Sequence, residues 1–284
     1  MNKVFACIDG AKQTESVCDY AIWAANRLGV TLEFLHVLDR HPEKAAVSDL
    51  SGSIGLDAQE TLLTQLADLD EQRSKLAQEH GRQILDTAKR RTQAAGFETV
   101  ETRQRHGSLI EAAQDVQPEA RLYVLGQHEQ TANSSRSYFD HNAERVVRSL
   151  ERPVLVSKGV FHQPDKFLIA FDGSATGHKM VQTVAASPLL KSLSCHIVMV
   201  GDDTPKQQQE LAWARDVMAE AQFDVTAQLK QGEPESDLRD HIVANDIDLL
   251  VMGAYGHSRI REFIMGSTTT ILLRTSPVPA LIMR

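Results

Sequence analysis

Residues 166–174 read KFLIAFDGS, and residues 3–11 read KVFACIDGA. Each stretch is a lysine, a short apolar run and an Asp-Gly pair, which is typical of a buried strand that ends in a turn. The two stretches are 163 residues apart, and a second pair of apolar runs, 32–37 and 195–200, is separated by the same interval. The chain therefore contains one structural unit twice.

Each copy alternates short apolar runs with helical patterns. Gly107 and Gly232 recur at the shorter interval of 125 residues, and the later runs 122–126 and 249–253 recur at 127. Amphipathic patterns over 16–28, 69–95 and 211–221 predict helices between the runs. Strands of this kind alternating with helices predict an α/β fold, in which helices cover both faces of a parallel sheet with five strands per copy.

The change of interval means that the first copy carries about 38 additional residues between its second and third strands. The polar segment of about residues 40–68 is predicted to be a loop that leads into a helix. It would serve as a surface cover or partner contact, or as a lid over a ligand. Gly159 and Pro164 mark the linker between the copies. We therefore predict two domains, residues 1–158 and residues 164–284.

Composition excludes several classes of function. A net charge of −8 over 284 residues disfavours binding to nucleic acid or to an anionic membrane. Three cysteines, Cys7, Cys18 and Cys195, are too few for a disulfide framework and favour a reducing compartment. The first ten residues read as a strand and a turn, not a signal peptide, and no apolar run approaches the roughly 18–20 residues that span a bilayer. We predict a cytoplasmic protein.

The segment with the clearest chemical meaning is 253–268, GAYGHSRIREFIMGST, whose glycines and serine follow the pattern G-x2-G-x9-G-S. Gly253 and Gly256 follow a predicted buried strand, where glycine lets the backbone approach a ligand closely. Gly266 and Ser267 then open a predicted helix over 268–274, whose first N–H groups are unpaired. The pattern predicts a phosphate cradle made of backbone donors. The alternative is that the glycines serve only as turns and Ser267 only as a helix cap.

This pattern resembles the nucleotide-binding signature of the universal stress protein family, and the whole chain resembles the tandem form of that family. The resemblance implies two Rossmann-like domains, each a five-stranded, mainly parallel sheet flanked by helices, and ATP as ligand, with or without Mg²⁺. The residues that it assigns to adenine and ribose are Asp172, Gly173, Ser174 and Val200, and those that it assigns to ribose and phosphates are Met252, Gly253, Gly256, His257, Gly266, Ser267, Thr268 and Thr269. For Asp172, a plain Asp-Gly turn is the alternative role.

The first copy departs from this pattern. Gly126 has no second glycine three residues on, and Asp140 and His141 stand where the second copy has Gly266 and Ser267. A carboxylate at that position repels an anion. We therefore predict that the first copy does not bind ATP in the manner of the family. His128, Asp140 and His141 are predicted to be solvated side chains and not ligands of a metal.

The sequence carries no Walker loop, no G-x-S-x-G elbow and no H-E-x-x-H motif, and we assign no catalytic residue. The resemblance implies an ATP-binding stress-response regulator. Two alternatives stay open: a slow ATP hydrolase, and an interaction scaffold without a nucleotide function. The short apolar runs 154–156 and 280–282 are expected to pair with each other within the chain. Further association into a homodimer is also expected.

Overall fold

A computed structural model describes residues 3–38, 56–127, 138–254 and 267–284, with the backbone alone at 56–63, 138–142 and 267. The strands in these residues are β1 (Lys3–Cys7), β2 (Leu32–Leu38), β3 (Val100–His106), β4 (Ala120–Gly126), β5 (Val154–Ser157), β6 (Lys166–Ala170), β7 (Ser194–Val200), β8 (Val225–Lys230), β9 (Leu249–Gly253) and β10 (Ala280–Met283). The helices are α1 (Thr14–Leu28), α2 (Leu56–Ala94), α3 (Leu109–Asp115), α4 (Tyr138–Ser149), α5 (Ala175–Ala186), α6 (Pro205–Glu220), α7 (Pro234–Ala244) and α8 (Ser267–Thr275).

The strands form one sheet in the order β3-β2-β1-β4-β5-β10-β9-β6-β7-β8. Within each half of the chain, neighbouring strands are parallel and are joined through helices. The second half repeats the strand order of the first, starting from the opposite edge. The predicted α/β class, with two five-stranded Rossmann-like units, is confirmed.

The two halves meet at an antiparallel pair formed by the last strand of each. Val154, Leu155 and Val156 of β5 lie opposite residues 280–282 of β10. Leu155 and Leu281 face each other in this register, and both are fully buried. Because each last strand would otherwise be an exposed sheet edge, this pairing removes two edges at once. The predicted pairing of these strands within the chain is confirmed.

Helices cover both faces of the sheet, so that the inner strands are apolar on both sides. In β1, Val4 and Ala6 belong to one core layer, whereas Phe5 and Cys7 belong to the other. Helix α1 packs on the first layer through a continuous run of buried side chains from residue 20 to residue 25. Burial on both faces explains why the sequences of the inner strands are continuous apolar runs, whereas the edge strands β3 and β8 keep exposed polar residues.

Two helices begin earlier than the sequence patterns predict. Helix α2 starts at Leu56 and not near residue 69, and every residue from 64 to 76 is exposed. In residues 56–68 polar side chains outnumber the leucines, so the composition resembles that of a loop, although Leu66 and Leu69 are exposed on the helix. Helix α6 starts at Pro205, where the Thr204 side chain accepts a hydrogen bond from the Gln207 N–H group. A capping threonine followed by proline is a start signal that the apolar pattern alone missed.

The linker between the halves packs against the first half. Phe161 makes an edge contact with Tyr20 of α1, with ring centroids 4.7 Å apart, and the Tyr20 hydroxyl donates to the His162 carbonyl. Arg27, in the last turn of α1, donates to the carbonyl of Leu189 in the second half, at 2.9 Å. The halves are thus joined through side chains as well as through the sheet. Among the described residues, no helix combines the length and hydropathy needed to cross a membrane.

Candidate functional site

Three strands of the second half end side by side at one edge of the sheet, the edge formed by the carboxyl ends of its strands. Strand β6 has β9 on one side and β7 on the other, and all three are parallel. Asp172 follows β6, Val200 ends β7 and Gly253 ends β9. The carboxyl ends of neighbouring parallel strands are where open α/β sheets bind ligands. The fold therefore brings the predicted residues from three separate parts of the sequence to one edge.

The loop after β6 is held by a chain of hydrogen bonds. The Asp172 Oδ1 atom accepts a hydrogen bond from the backbone N–H of Ser174 at 3.0 Å. The Ser174 hydroxyl in turn accepts from the N–H of Gly177 at 3.0 Å and caps α5. Gly173 has a φ of +68°, in the left-handed region that favours glycine. The Asp-Gly turn considered as the alternative role of Asp172 is therefore present, and it fixes the exposed carboxylate at the sheet edge.

Helix α8 begins beside the end of β9. The Thr269 hydroxyl donates to the Gly253 carbonyl at 3.4 Å, which joins the first turn of α8 to this strand end. A Cβ atom on Gly253 would lie 3.3 Å from Cγ2 of Thr176. A side chain at this position would therefore fill the space between β9 and Thr176, which glycine leaves free. The backbone N–H groups of the first turn of a helix lack partners within the helix. These groups, together with the hydroxyls of Thr268 and Thr269, are a donor set suited to an anion.

Of the remaining predicted residues, Val200 and Met252 lie in the described part of the chain. Val200 is half-buried at the end of β7. The Met252 side chain is 3% exposed and packs in the core, so that only its backbone could face a ligand. Gly256, His257 and Gly266 lie outside the described residues, as does the Ser267 side chain.

A cluster of side chains beside Gly173 was not predicted. The His178 Nε2 atom lies 2.6 Å from the Glu210 Oε2 atom, and the His178 ring stacks on Trp213 with centroids 3.9 Å apart. A Cβ atom on Gly173 would lie 3.5 Å from Cγ of Glu210. This cluster therefore forms a wall of the loop. It joins α5 to α6 across 32 residues of sequence, a separation that no local motif reveals.

The corresponding edge of the first half is filled by side chains. Asp9 accepts a hydrogen bond from the Ala11 N–H at 2.9 Å, as Asp172 does in the second half. However, a Cβ atom on Gly10 would lie only 2.6 Å from Cδ1 of Ile84, because α2 lies directly over this turn. A Cβ atom on Gly126 would lie 2.9 Å from Cβ of Gln13. Gln13 occupies the position that Thr176 has in the second half.

The Gln13 side chain adds polarity to this filled edge, since its Oε1 atom is buried without a hydrogen-bond partner within the described part of the chain. His128 and the side chains of Asp140 and His141 lie outside that part. The described residues include no group of three His, Cys, Asp or Glu side chains placed to bind a metal ion.

A pair of histidines lies away from the strand ends, where α7 packs on β7. The Nδ1 atom of His196 and the Nε2 atom of His241 are 3.1 Å apart. Burial, followed by the positive charge of Lys230 and by His196, lowers the pKa of His241 to about 4. Burial and the charge of Lys166 also lower the pKa of His196. Both rings are therefore neutral at neutral pH and share one hydrogen bond.

Comparison with known proteins gives consistent matches along the whole chain. The sequence profile described as the universal stress protein family matches residues 1–158 and again residues 164–284. Universal stress protein Slr1230 from Synechocystis sp. is 38% identical over 287 residues, which cover 100% of this chain and 100% of that protein. Stress response protein NhaX from Bacillus subtilis is 26% identical over 102 residues, or 36% of this chain and 60% of that protein.

A solved structure supports the fold. The crystal structure of a universal stress protein from Archaeoglobus fulgidus has a TM-score of 0.72 to this chain at 18% sequence identity. The similarity covers 100% of this chain and 96% of that one. At this level of identity, the likeness concerns the arrangement of both halves and not the chemistry of either.

Proposed function

This chain belongs to the universal stress protein family, and we propose that it is a stress-response regulator whose carboxyl-terminal half binds ATP. The observation that carries this proposal is the contact between the first turn of α8 and the end of β9, where Thr269 donates to the Gly253 carbonyl. This contact places unpaired helix donors next to a strand end that has no side chain, at the edge where Asp172 and Val200 also lie.

The residues fit the chemistry of an adenine nucleotide. The exposed carboxylate of Asp172 and the backbone around Val200 offer polar groups suited to adenine and ribose. The start of α8 offers N–H groups and hydroxyls to phosphates, with Gly256, His257, Gly266 and Ser267 completing the set in the sequence motif. Bound nucleotide supplies the triphosphate charge, with or without Mg²⁺. We propose these residues as the ligands and assign no catalytic group.

The first half is proposed not to bind ATP. Ile84 lies over the turn at Gly10, and Gln13 fills the space beside Gly126. A ligand would have to displace side chains of α1 and α2 to reach the backbone there. We propose that the first half supports the second, and that ATP shifts the protein between states to which it binds with different affinity. The three cysteines are free and buried, which suits the reducing cytoplasm as the proposed location.

Calorimetric titration with ATP tests this proposal through a matched pair of variants. Asn in place of Asp172 keeps an oxygen for the Ser174 N–H but removes the charge, so Asp172→Asn isolates the role toward the ligand. We expect it to weaken ATP binding about tenfold or more, as the loss of a charged hydrogen bond implies. Asp9→Asn, which makes the same change in the first half, should leave the affinity unchanged.

The opposite result, in which Asp9→Asn weakens binding and Asp172→Asn does not, would place the nucleotide in the first half and contradict the proposal. An absence of ATP binding by the unmodified protein would favour the scaffold alternative. Measuring phosphate release in the same samples separates simple binding from slow hydrolysis, because only hydrolysis produces free phosphate with time.

A further inference from the structure

We propose that Lys158, in the first half, is a positioning residue for the nucleotide cradle in the second half. Its ammonium group donates to the backbone carbonyl of Ser276 at 2.5 Å. Ser276 directly follows α8, whose other end forms the cradle. This inference rests on the proposed function, and it adds that the site depends on a residue outside the domain that contains it.

Further contacts tie the same end of α8 to the first half. Arg274, in the last turn of α8, forms an ion pair with Glu144 of α4 at 3.0 Å. The Gln127 side chain, just beyond β4, reaches the Arg274 carbonyl at 3.5 Å. Three residues of the first half therefore contact the last turn of α8 and the residue after it. Of these contacts, the one with Lys158 is the shortest and places a positive charge on a terminal carbonyl.

Helix α8 needs such contacts because it is short. It has nine residues, and helices shorter than about 12–15 residues are marginal in water without tertiary support. A cation at the carboxyl end stabilises a helix through its dipole, as an anion does at the amino end. Lys158 and a bound phosphate would therefore act on opposite ends of one helix. Fixing the carboxyl end keeps the amino end ordered and in register with Gly253 before any ligand arrives.

The mirror image of this contact provides a control within the same chain. Arg284, which follows β10 as Lys158 follows β5, donates to the Leu150 carbonyl at 3.2 Å. Leu150 follows α4 as Ser276 follows α8. Each half therefore places a cation from beyond its last strand on the carboxyl end of the last helix of the other half. The two contacts are equivalent in the fold, but only α8 carries the glycine and threonine motif.

Hydrogen exchange and calorimetry on the full chain test the proposal together. We compare Lys158→Met, Lys158→Arg and Arg284→Met with the unmodified protein. Without nucleotide, Lys158→Met should accelerate amide exchange in residues 268–275, and Lys158→Arg should restore protection. Arg284→Met should accelerate exchange in residues 138–149 instead. In ATP titrations, we expect Lys158→Met to raise the Kd about three- to tenfold, whereas Lys158→Arg and Arg284→Met stay within about twofold.

Two results would overturn the proposal: unchanged exchange in α8 of Lys158→Met, or an equal loss of ATP affinity in Lys158→Met and Arg284→Met. The second result would show that general destabilisation and not positioning is responsible. If the unmodified protein binds no ATP, the proposed function fails by itself. The exchange comparison, which uses no nucleotide, still decides whether Lys158 orders α8.

Discussion

Asp9 and Asp172 occupy equivalent positions and accept nearly identical hydrogen bonds, at 2.9 and 3.0 Å, from the backbone two residues later. At the scale of single residues, what separates the two halves is therefore the neighbours of these acids. Ile84 lies against the turn of the first half, whereas Glu210 lies farther from the turn of the second. The same Asp-Gly pair can thus serve as a plain turn in one half and as part of a candidate site in the other.

The pair of His241 and His196 gives a prediction about pH at this scale. Because the pKa of His241 is about 4 in the folded state and 6.5 as its ordinary value, the folded protein binds fewer protons than the unfolded chain between these values. The free energy of unfolding is therefore at its full value, as far as His241 is concerned, above pH 6.5. It falls by up to about 3 kcal/mol as the pH decreases toward 4. Urea unfolding at a series of pH values measures this loss.

His241→Gln should flatten the dependence of the unfolding free energy on pH between 6.5 and 4, since glutamine does not titrate. The control is His80→Gln, at an exposed position on α2, which should retain the slope. An unchanged slope in His241→Gln would mean that other groups cause the acid sensitivity.

At the scale of elements, α2 shows how one helix changes the use of a strand edge. Its carboxyl-terminal part packs on β2 and β3, and Gly81 is the point of close approach to this surface. A Cβ atom on Gly81 would lie 2.7 Å from Cδ2 of His36, whose ring is held by a 2.8 Å hydrogen bond to the Ile8 carbonyl. The absence of a side chain at one helical position therefore lets α2 lie over the turn of the first half.

We predict that Gly81→Val lowers the free energy of unfolding by about 1–3 kcal/mol, the usual cost of overpacking. The His36 ring cannot move away without losing its hydrogen bond. Ala67→Val places the same residue in the exposed part of α2 and should cost less than about 1 kcal/mol. Chemical denaturation of both variants measures the difference. Equal effects would mean that α2 does not pack closely on β2.

At the scale of the whole molecule, the antiparallel pair of β5 and β10 makes one sheet from two repeated units. Each half contains one tryptophan: Trp23, which is 7% exposed, and Trp213, which stacks on His178. Fluorescence can therefore follow each half separately once the other tryptophan is replaced by phenylalanine. A shared sheet predicts that both halves unfold in one transition.

Leu155→Ala tests this coupling. Leu155 is fully buried opposite Leu281, and its truncation should cost about 2–5 kcal/mol. We expect the urea midpoints reported by Trp23 and by Trp213 to fall together, although Leu155 belongs to the first half. A shift of the Trp23 midpoint alone would show that the halves unfold independently. Val243→Ala, at an exposed site, should change neither midpoint.

Much of this architecture is present in the sequence itself. The repeated stretches 3–11 and 166–174, and the Asp, Gly and Pro residues that bound each apolar run, predict strands and turns because these signals act between near neighbours in the chain. The glycine spacing after Gly253 predicts a backbone cradle for the same reason. The start of α2 escaped prediction, because its polar residues outnumber its leucines and its composition resembles that of a loop.

Which groups meet at the site follows from long-range packing. Three contacts illustrate this. Ile84 and Gly10 are 74 positions apart in the chain, Glu210 and His178 are 32 apart, and Lys158 and Ser276 are 118 apart. No local motif encodes contacts over such distances. Local signals in the chain are enough to predict two similar units and the ends of their strands. Their unequal surroundings follow from packing, because the space beside a backbone is set by whichever distant side chains the fold brings to it.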